Sequence, residues 1–181
     1  LGSTLALSQF LIKKGHQSLV ISPNEFPDFL KWMPSQEHIL CFDQQETRCK
    51  EIIAEAEVIF TLDFNALGRI SPIDDHLRKH PAPKVMIDHH QEPEDYATLR
   101  YSDTTIGSTC EMVYNVLHQW DAECIDSAIA TCLYTGIMTD SGSFRFPSTT
   151  AKTHRIVADL FDRGVQHSFI HQNVHDSSSY D

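Results

Sequence analysis

Lys84-Val85-Met86-Ile87-Asp88-His89-His90 is the stretch on which the reading of this chain turns. Its short apolar run, following the prolines at 81 and 83, reads as a buried strand. The strand finishes on a carboxylate, and two imidazoles come next. An aspartate ending a strand is ordinarily a turn former, and paired histidines in a loop are often only solvated. Three such groups together at the end of one buried strand are costly without partners, which makes the stretch a candidate site as well as a fold element.

Working outward, apolar runs alternate with amphipathic ones. Residues 18–22, 38–42 and 57–63 read as strands upstream, and 96–101 as a fifth downstream. Helical patterns separate them: an apolar stripe from Leu5 to Ile12 stopped by Gly15, a short helix at 27–33 closed by Pro34, and a helix at 44–56. Ser71-Pro72 has the form of a helix start, with an N-cap hydroxyl before proline, and predicts a helix to about residue 80. Ser108-Thr-Cys-Glu111 has capping-box spacing and opens a helix to about 118. Residues 126–138 form a largely apolar, hence central, helix, and 150–163 another that Gly164 ends. Strands alternating with helices imply βα units with right-handed crossovers. The fold expected is α/β: Rossmann-like, doubly wound, a mainly parallel sheet with helices on both faces.

The chain has 181 residues, 41% hydrophobic and 22% charged, enough for one ordinary domain with a substantial core. No apolar run reaches the roughly 18 residues of a membrane span. With 14 basic and 25 acidic side chains the net charge is −11, which opposes the broad basic face of a duplex-DNA binder. A small anionic substrate remains compatible with that charge, because bound cations reverse the local field. Five cysteines without CxxC spacing fit neither a zinc ribbon nor a disulfide framework, so a reducing, cytoplasmic compartment is expected.

Ligands of open parallel sheets bind beyond the carboxyl ends of the strands. Asp63 and Asp88 end two predicted strands there, and Asp140 falls in the small-residue loop expected at 136–143. Carboxylates with an imidazole suit manganese or a similar divalent ion, and the absence of cysteine among them argues against structural zinc. Arg145 lies between Phe144 and Phe146, where it serves either as a surface residue or as a phosphate contact. Ser3 stands at a predicted helix N-terminus, as a simple cap or an anion contact. His167, His171 and His175 follow helical spacing, but no HExxH-type glutamate accompanies them, and a solvated helix face is the expected reading.

Val85-Met-Ile-Asp-His-His90 resembles the signature of the DHH phosphoesterases, manganese-dependent hydrolases of phosphate esters and anhydrides. Leu1-Gly2-Ser3 is similar to the end of that family's first motif, Phe60-Thr-Leu-Asp63 to its second, Asp88-His89-His90 to its third and Thr139-Asp140 to its fourth. Gly142-Ser-Phe-Arg-Phe146 leading into Ser148-Thr-Thr150 is similar to the subgroup of nanoRNases and 3′-phosphoadenosine 5′-phosphate phosphatases.

The resemblance implies roles. Asp63 is a metal ligand bridging two manganese ions, with magnesium or cobalt as substitutes. His89 and Asp140 are further ligands. His90 meets the substrate phosphate as a hydrogen-bond donor or acid. Asp88 orients an imidazole, the usual arrangement behind a metal-bound histidine. Arg145 and Ser3 contact substrate. The activity implied is hydrolysis of short oligoribonucleotides or 3′-phosphoadenosine 5′-phosphate by a metal-activated water. A cyclic or linear dinucleotide phosphodiesterase, a pyrophosphatase of the same family and a non-catalytic nucleotide-binding module are the alternatives. The expected partner is a small nucleotide or short RNA, with no duplex DNA, no membrane, and a homodimer allowed.

The same resemblance divides the chain into a catalytic domain at 1–174 and the start of a linker at 175–181. It also places the histidine and two aspartates of the first motif upstream of Leu1, and a substrate-binding domain after residue 181.

Overall fold

Residues 1–176 are described by the structure, a computed structural model. Helix α1 (Gly2–Lys13) buries Leu5, Ala6, Leu7 and Phe10 and stops before Gly15, where the sequence placed its end. Five strands follow: β1 (Ile21–Ser22), β2 (Leu40–Cys41), β3 (Ile59–Leu62), β4 (Lys84–Asp88) and β5 (Leu99–Ser102). Helices α2 (Glu46–Glu55) and α3 (Asp74–Lys79) lie among them, and α4 (Thr109–Asp121), α5 (Ser127–Asp140), α6 (Ala151–Asp162) and α7 (His167–His171) come after. Every strand pair is parallel, in two blocks: β1 beside β2, and β3-β4-β5 in that order. This is the expected α/β arrangement of parallel strands with helices around them.

Two apolar clusters lie against the strands. The larger joins α1, α4, α5 and α6 and takes in Leu62 and Ile87. The smaller joins Phe42, Cys49, Ile53, Leu67, Ile73 and Leu77, with Ile59 packed on it. Ile59 and Leu62 are three apart on β3 and so face opposite sides of the strand, one toward each cluster. In the larger cluster α5 passes very close to α4. A Cβ on Gly136 would stand 2.1 Å from the Cys110 Sγ, so only glycine permits that approach. All five cysteines are free.

Register brings the functional residues together. Leu62 pairs with Ile87 across β3 and β4, so the carboxyl ends of these strands lie side by side. Asp63 and the Asp88-His89-His90 run therefore leave the sheet at neighbouring points. No described helix is long and apolar enough to cross a membrane.

Several local expectations change. The helix predicted from Ser71-Pro72 begins instead at Asp74, with Ile73 before it; the Ser71-Pro72 peptide is cis, and Ser71 is extended at ψ 137°. Burial of Ile73 in the smaller cluster sets this start, and Asp74 and Asp75 supply negative charge to the first turn. Ser108 caps α4 by accepting the Glu111 N–H at 3.1 Å. The Glu111 carboxylate does not return to Ser108; it accepts the Thr153 hydroxyl of α6 at 2.9 Å. The helix expected at 27–33 shrinks to a 3-10 turn, Asp28–Leu30, after an extended Pro27.

Asp140 is the last residue of α5 and not part of a loop. The Thr135 and Thr139 hydroxyls are satisfied by carbonyls of their own helix, so these polar residues do not interrupt it. The turn comes at Gly142, φ +57°. Beyond α7, Gln172–Asp176 forms one π-helical turn; the rest of the stretch read as a linker lies outside the described residues.

Candidate metal centre

Asp63 follows the last residue of β3 with φ +70°, in the left-handed region that an aspartate tolerates at a cost. Its backbone N–H donates to the Ile87 carbonyl at 3.1 Å, which ties the turn to β4. The side chain is fixed from the other side: Thr109, buried in the first turn of α4, donates its hydroxyl to Asp63 Oδ1 at 2.9 Å.

The two histidines are held differently. His89 Nδ1 lies 3.3 Å from the Ile106 carbonyl. A carbonyl only accepts, so Nδ1 is the donor, and in the neutral ring that tautomer leaves the lone pair on Nε2. Nε2 faces Asp63 Oδ1 at 3.7 Å. His90 turns the other way, with Nδ1 2.6 Å from Asp88 Oδ1, while its backbone N–H reaches Asp88 Oδ2 at 3.2 Å. Asp88 is wholly buried, and both its oxygens are occupied by His90. The imidazole that Asp88 orients is therefore that of His90; a backbone carbonyl orients His89.

Ligand atoms of Asp63, His89 and His90 lie within 4.8 Å of one another, the one group of three or more such residues so placed among those described. Asp140 is outside that group and stands with Asp63 and Ser3 on the wall of an adjoining cleft of about 160 Å³. Burial, then the charge of Asp63, pushes the Asp140 carboxyl up to about 7. Two carboxylates facing one cleft, one of them reluctant to ionise, form a donor set that a cation would relieve. Cys110, deeply buried on the same wall, is held well above the usual thiol range by burial and by Asp140, so it stays a thiol.

Ser3 is buried, with no hydrogen-bond partner for its Oγ. Arg145 is not on the cleft wall; it is exposed and folds its Nε onto the Gly142 carbonyl at 2.7 Å. The histidines of α7 and the following turn are spread among aromatic neighbours: His167 against Phe161, His171 near Tyr134, His175 against His171. Sequence reasoning missed Thr109, the Ile106 carbonyl and Phe29, which lines the cleft. Thr109 was in view within the capping segment, but nothing local connects it with Asp63.

The DHH family, N-terminal domain, matches residues 1–137. A bifunctional oligoribonuclease and PAP phosphatase NrnA from Thermus thermophilus is 27% identical over 172 residues, covering 92% of this chain and 47% of that protein. The Bacillus subtilis protein of the same name is 34% identical over 93 residues, 49% of this chain and 29% of its own. The crystal structure of an exopolyphosphatase-related protein from Bacteroides fragilis superposes with TM-score 0.96 at 39% identity, over 99% of this chain and 53% of that one. The chain thus spans about half the length of the relatives that match it from end to end. A putative family II inorganic pyrophosphatase from Methanococcus jannaschii shares the fold at TM-score 0.52 and 20% identity, over 66% of this chain and 42% of that one.

Proposed function

Because the chain belongs to the DHH family, matching its N-terminal domain over most of its length, we propose that it is the catalytic domain of a manganese-dependent phosphoesterase. Its substrates are short oligoribonucleotides or 3′-phosphoadenosine 5′-phosphate. The observation that carries the reading is the convergence of Asp63, His89 and His90 at adjacent strand ends, with Asp140 lining the neighbouring cleft beside Asp63. Likeness to the two NrnA proteins supports the choice of substrate class.

Asp63, His89 and Asp140 are the residues that would hold metal, two ions being expected. Manganese bound there would supply a water of lowered pKa and positive charge for the phosphoryl oxygens. The Ile106 carbonyl keeps the proton of His89 on Nδ1, so the other nitrogen stays available as a ligand. His90, steadied by Asp88, offers its remaining ring nitrogen to a substrate phosphate as hydrogen-bond donor or acid. Thr109 holds the Asp63 carboxylate toward the site. Ser3 and Arg145 are proposed substrate contacts, the latter after it releases the Gly142 carbonyl. The proposed compartment is the cytoplasm, and the proposed assembly at most a homodimer.

The test is release of phosphate or nucleotide by the full-length protein across a panel: short oligoribonucleotides, 3′-phosphoadenosine 5′-phosphate, linear and cyclic dinucleotides, and pyrophosphate. Turnover of the first two that EDTA abolishes and manganese restores supports the reading. Undiminished turnover after chelation overturns the metal role. Exclusive turnover of pyrophosphate or a cyclic dinucleotide overturns the substrate assignment, and no turnover at all overturns the activity.

A further inference from the structure

The cleft beside Asp63 is divided by chemistry. The polar residues Asp63, Asp140 and Ser3 line it together with the apolar residues Phe29, Leu30 and Met33 of one short segment. That segment is firmly held. Met33 is buried and Leu30 is packed on the main apolar cluster. The Trp32 indole N–H donates to the Phe29 carbonyl at 2.6 Å, and Trp32 packs edge-on against Phe169 with ring centroids 5.5 Å apart. Lys31 pairs with both Glu25 and Asp28, closing the turn from its outer side. Phe29 nevertheless keeps 39% of its surface exposed, although the same turn buries or partly buries its apolar neighbours.

A scattered exposed phenylalanine needs no explanation. One carried on a held segment and lining the same cleft as two acidic residues does. The cleft is also small: at about 160 Å³ it falls below the roughly 300–1,000 Å³ of sites that engulf a whole drug-sized ligand. It suits one ring and the group attached to it.

We propose that Phe29 is a stacking platform for a nucleobase of the bound nucleotide, and that it makes the site prefer phosphates carrying a base over phosphates carrying only a sugar. The inference rests on the phosphoesterase reading for its choice of ligand. A held backbone limits the ordering cost to the ring's own rotamers, and every base has a π-face to offer it, so the preference is for a base of any kind and not for a particular one.

The experiment is calorimetric titration of the full-length protein, with manganese present, by adenosine 5′-monophosphate and by ribose 5-phosphate. Base–aromatic stacking of about 1–3 kcal/mol corresponds to about 5- to 140-fold in Kd. The wild-type protein should favour the nucleotide by a factor in that range. Phe29→Ala and Phe29→Leu should erase the preference by weakening nucleotide binding alone, whereas Phe29→Trp should retain it. Phe29→Leu keeps apolar bulk without a ring, which separates stacking from simple burial. Equal wild-type affinity for the two ligands overturns the proposal, and so does a preference that survives in Phe29→Leu. Because the readout is binding, absent turnover would remove the proposed activity and leave the stacking question answered separately.

Discussion

The buried carboxylate of Asp88 takes hold of His90 twice, through Nδ1 at 2.6 Å and through the backbone N–H at 3.2 Å. The interaction is local, spanning two residues, yet it decides how the two adjacent imidazoles differ. His90 is committed through Nδ1 to a side chain behind it, while His89 is committed to the Ile106 carbonyl and turns Nε2 to Asp63. Neighbours in sequence with edge-on rings 4.7 Å apart are thereby given separate tasks.

The alanine variants of these histidines should fail in different ways. His89→Ala removes the nitrogen aimed at Asp63 and is expected to lower manganese content, by elemental analysis, together with rate. His90→Ala is expected to retain manganese and lose turnover. Equal metal loss in both would transfer His90 to the ligand set, which its distance from Asp63 and His89 permits.

Asp63→Asn should be more damaging than Asp88→Asn. The first removes negative charge from the carboxylate proposed to bridge two cations. The second leaves an oxygen able to accept from His90, and losses behind a site residue cost about 10–100-fold. kcat/KM at saturating manganese should stay near that range for Asp88→Asn and fall well below it for Asp63→Asn, with folding checked by circular dichroism. The reverse order would assign the bridge to another residue.

Gly136→Ala should destabilise the fold by about 1–3 kcal/mol in urea unfolding, the usual cost of overpacking. Its new methyl group would meet the Cys110 Sγ at 2.1 Å, so α5 must shift or the thiol must move. Adding Cys110→Ala should recover part of the loss, and a double-mutant cycle measures how much. Strict additivity of the two changes would show that the close approach is relieved elsewhere.

Asp159 links stability to pH. Burial works to raise its carboxyl, but hydrogen bonds from Arg163 and Tyr114 outweigh burial and hold it below the usual carboxylate range. A folded pKa below the unfolded value of about 3.9 means stabilisation that is present above that pH and lost as pH falls through the folded value. Asp159→Asn should therefore cost about 1.5–3 kcal/mol at neutral pH, the scale of hydrogen bonds to a charged group. The gap from wild type should narrow as the pH is taken below about 4. A constant gap down to pH 2 would place the pH dependence in other carboxyls.

How much of this was legible beforehand follows from the range of each interaction. The five strands and the long helices were readable, because hydrophobic periodicity is local and because Ser108 and Thr150 carry their caps within three residues. The start of α3 departs from its sequence signal: Ser71-Pro72 acts locally, whereas burial of Ile73 in a cluster that includes Phe42, Cys49 and Ile53 does not. The small residues after Gly136 suggested a loop around Asp140, yet α5 runs through to that residue, with Ile137 and Met138 buried and the threonine hydroxyls satisfied within the helix.

For the site, the sequence by itself determined the chemistry on offer: carboxylates closing the third and fourth strands, two imidazoles behind the second of these, and no cysteine in the set. Tertiary structure decided the assignments. Parallel register of β3 with β4 set Asp63 beside His89, α4 brought Thr109 to Asp63 from 46 positions away, and the Ile106 carbonyl chose the His89 tautomer. It also put Phe29 on the cleft and left Arg145 folded on Gly142. Residue types and short periodicities are written along the chain, but which nitrogen faces which oxygen depends on partners that meet only when separate segments pack.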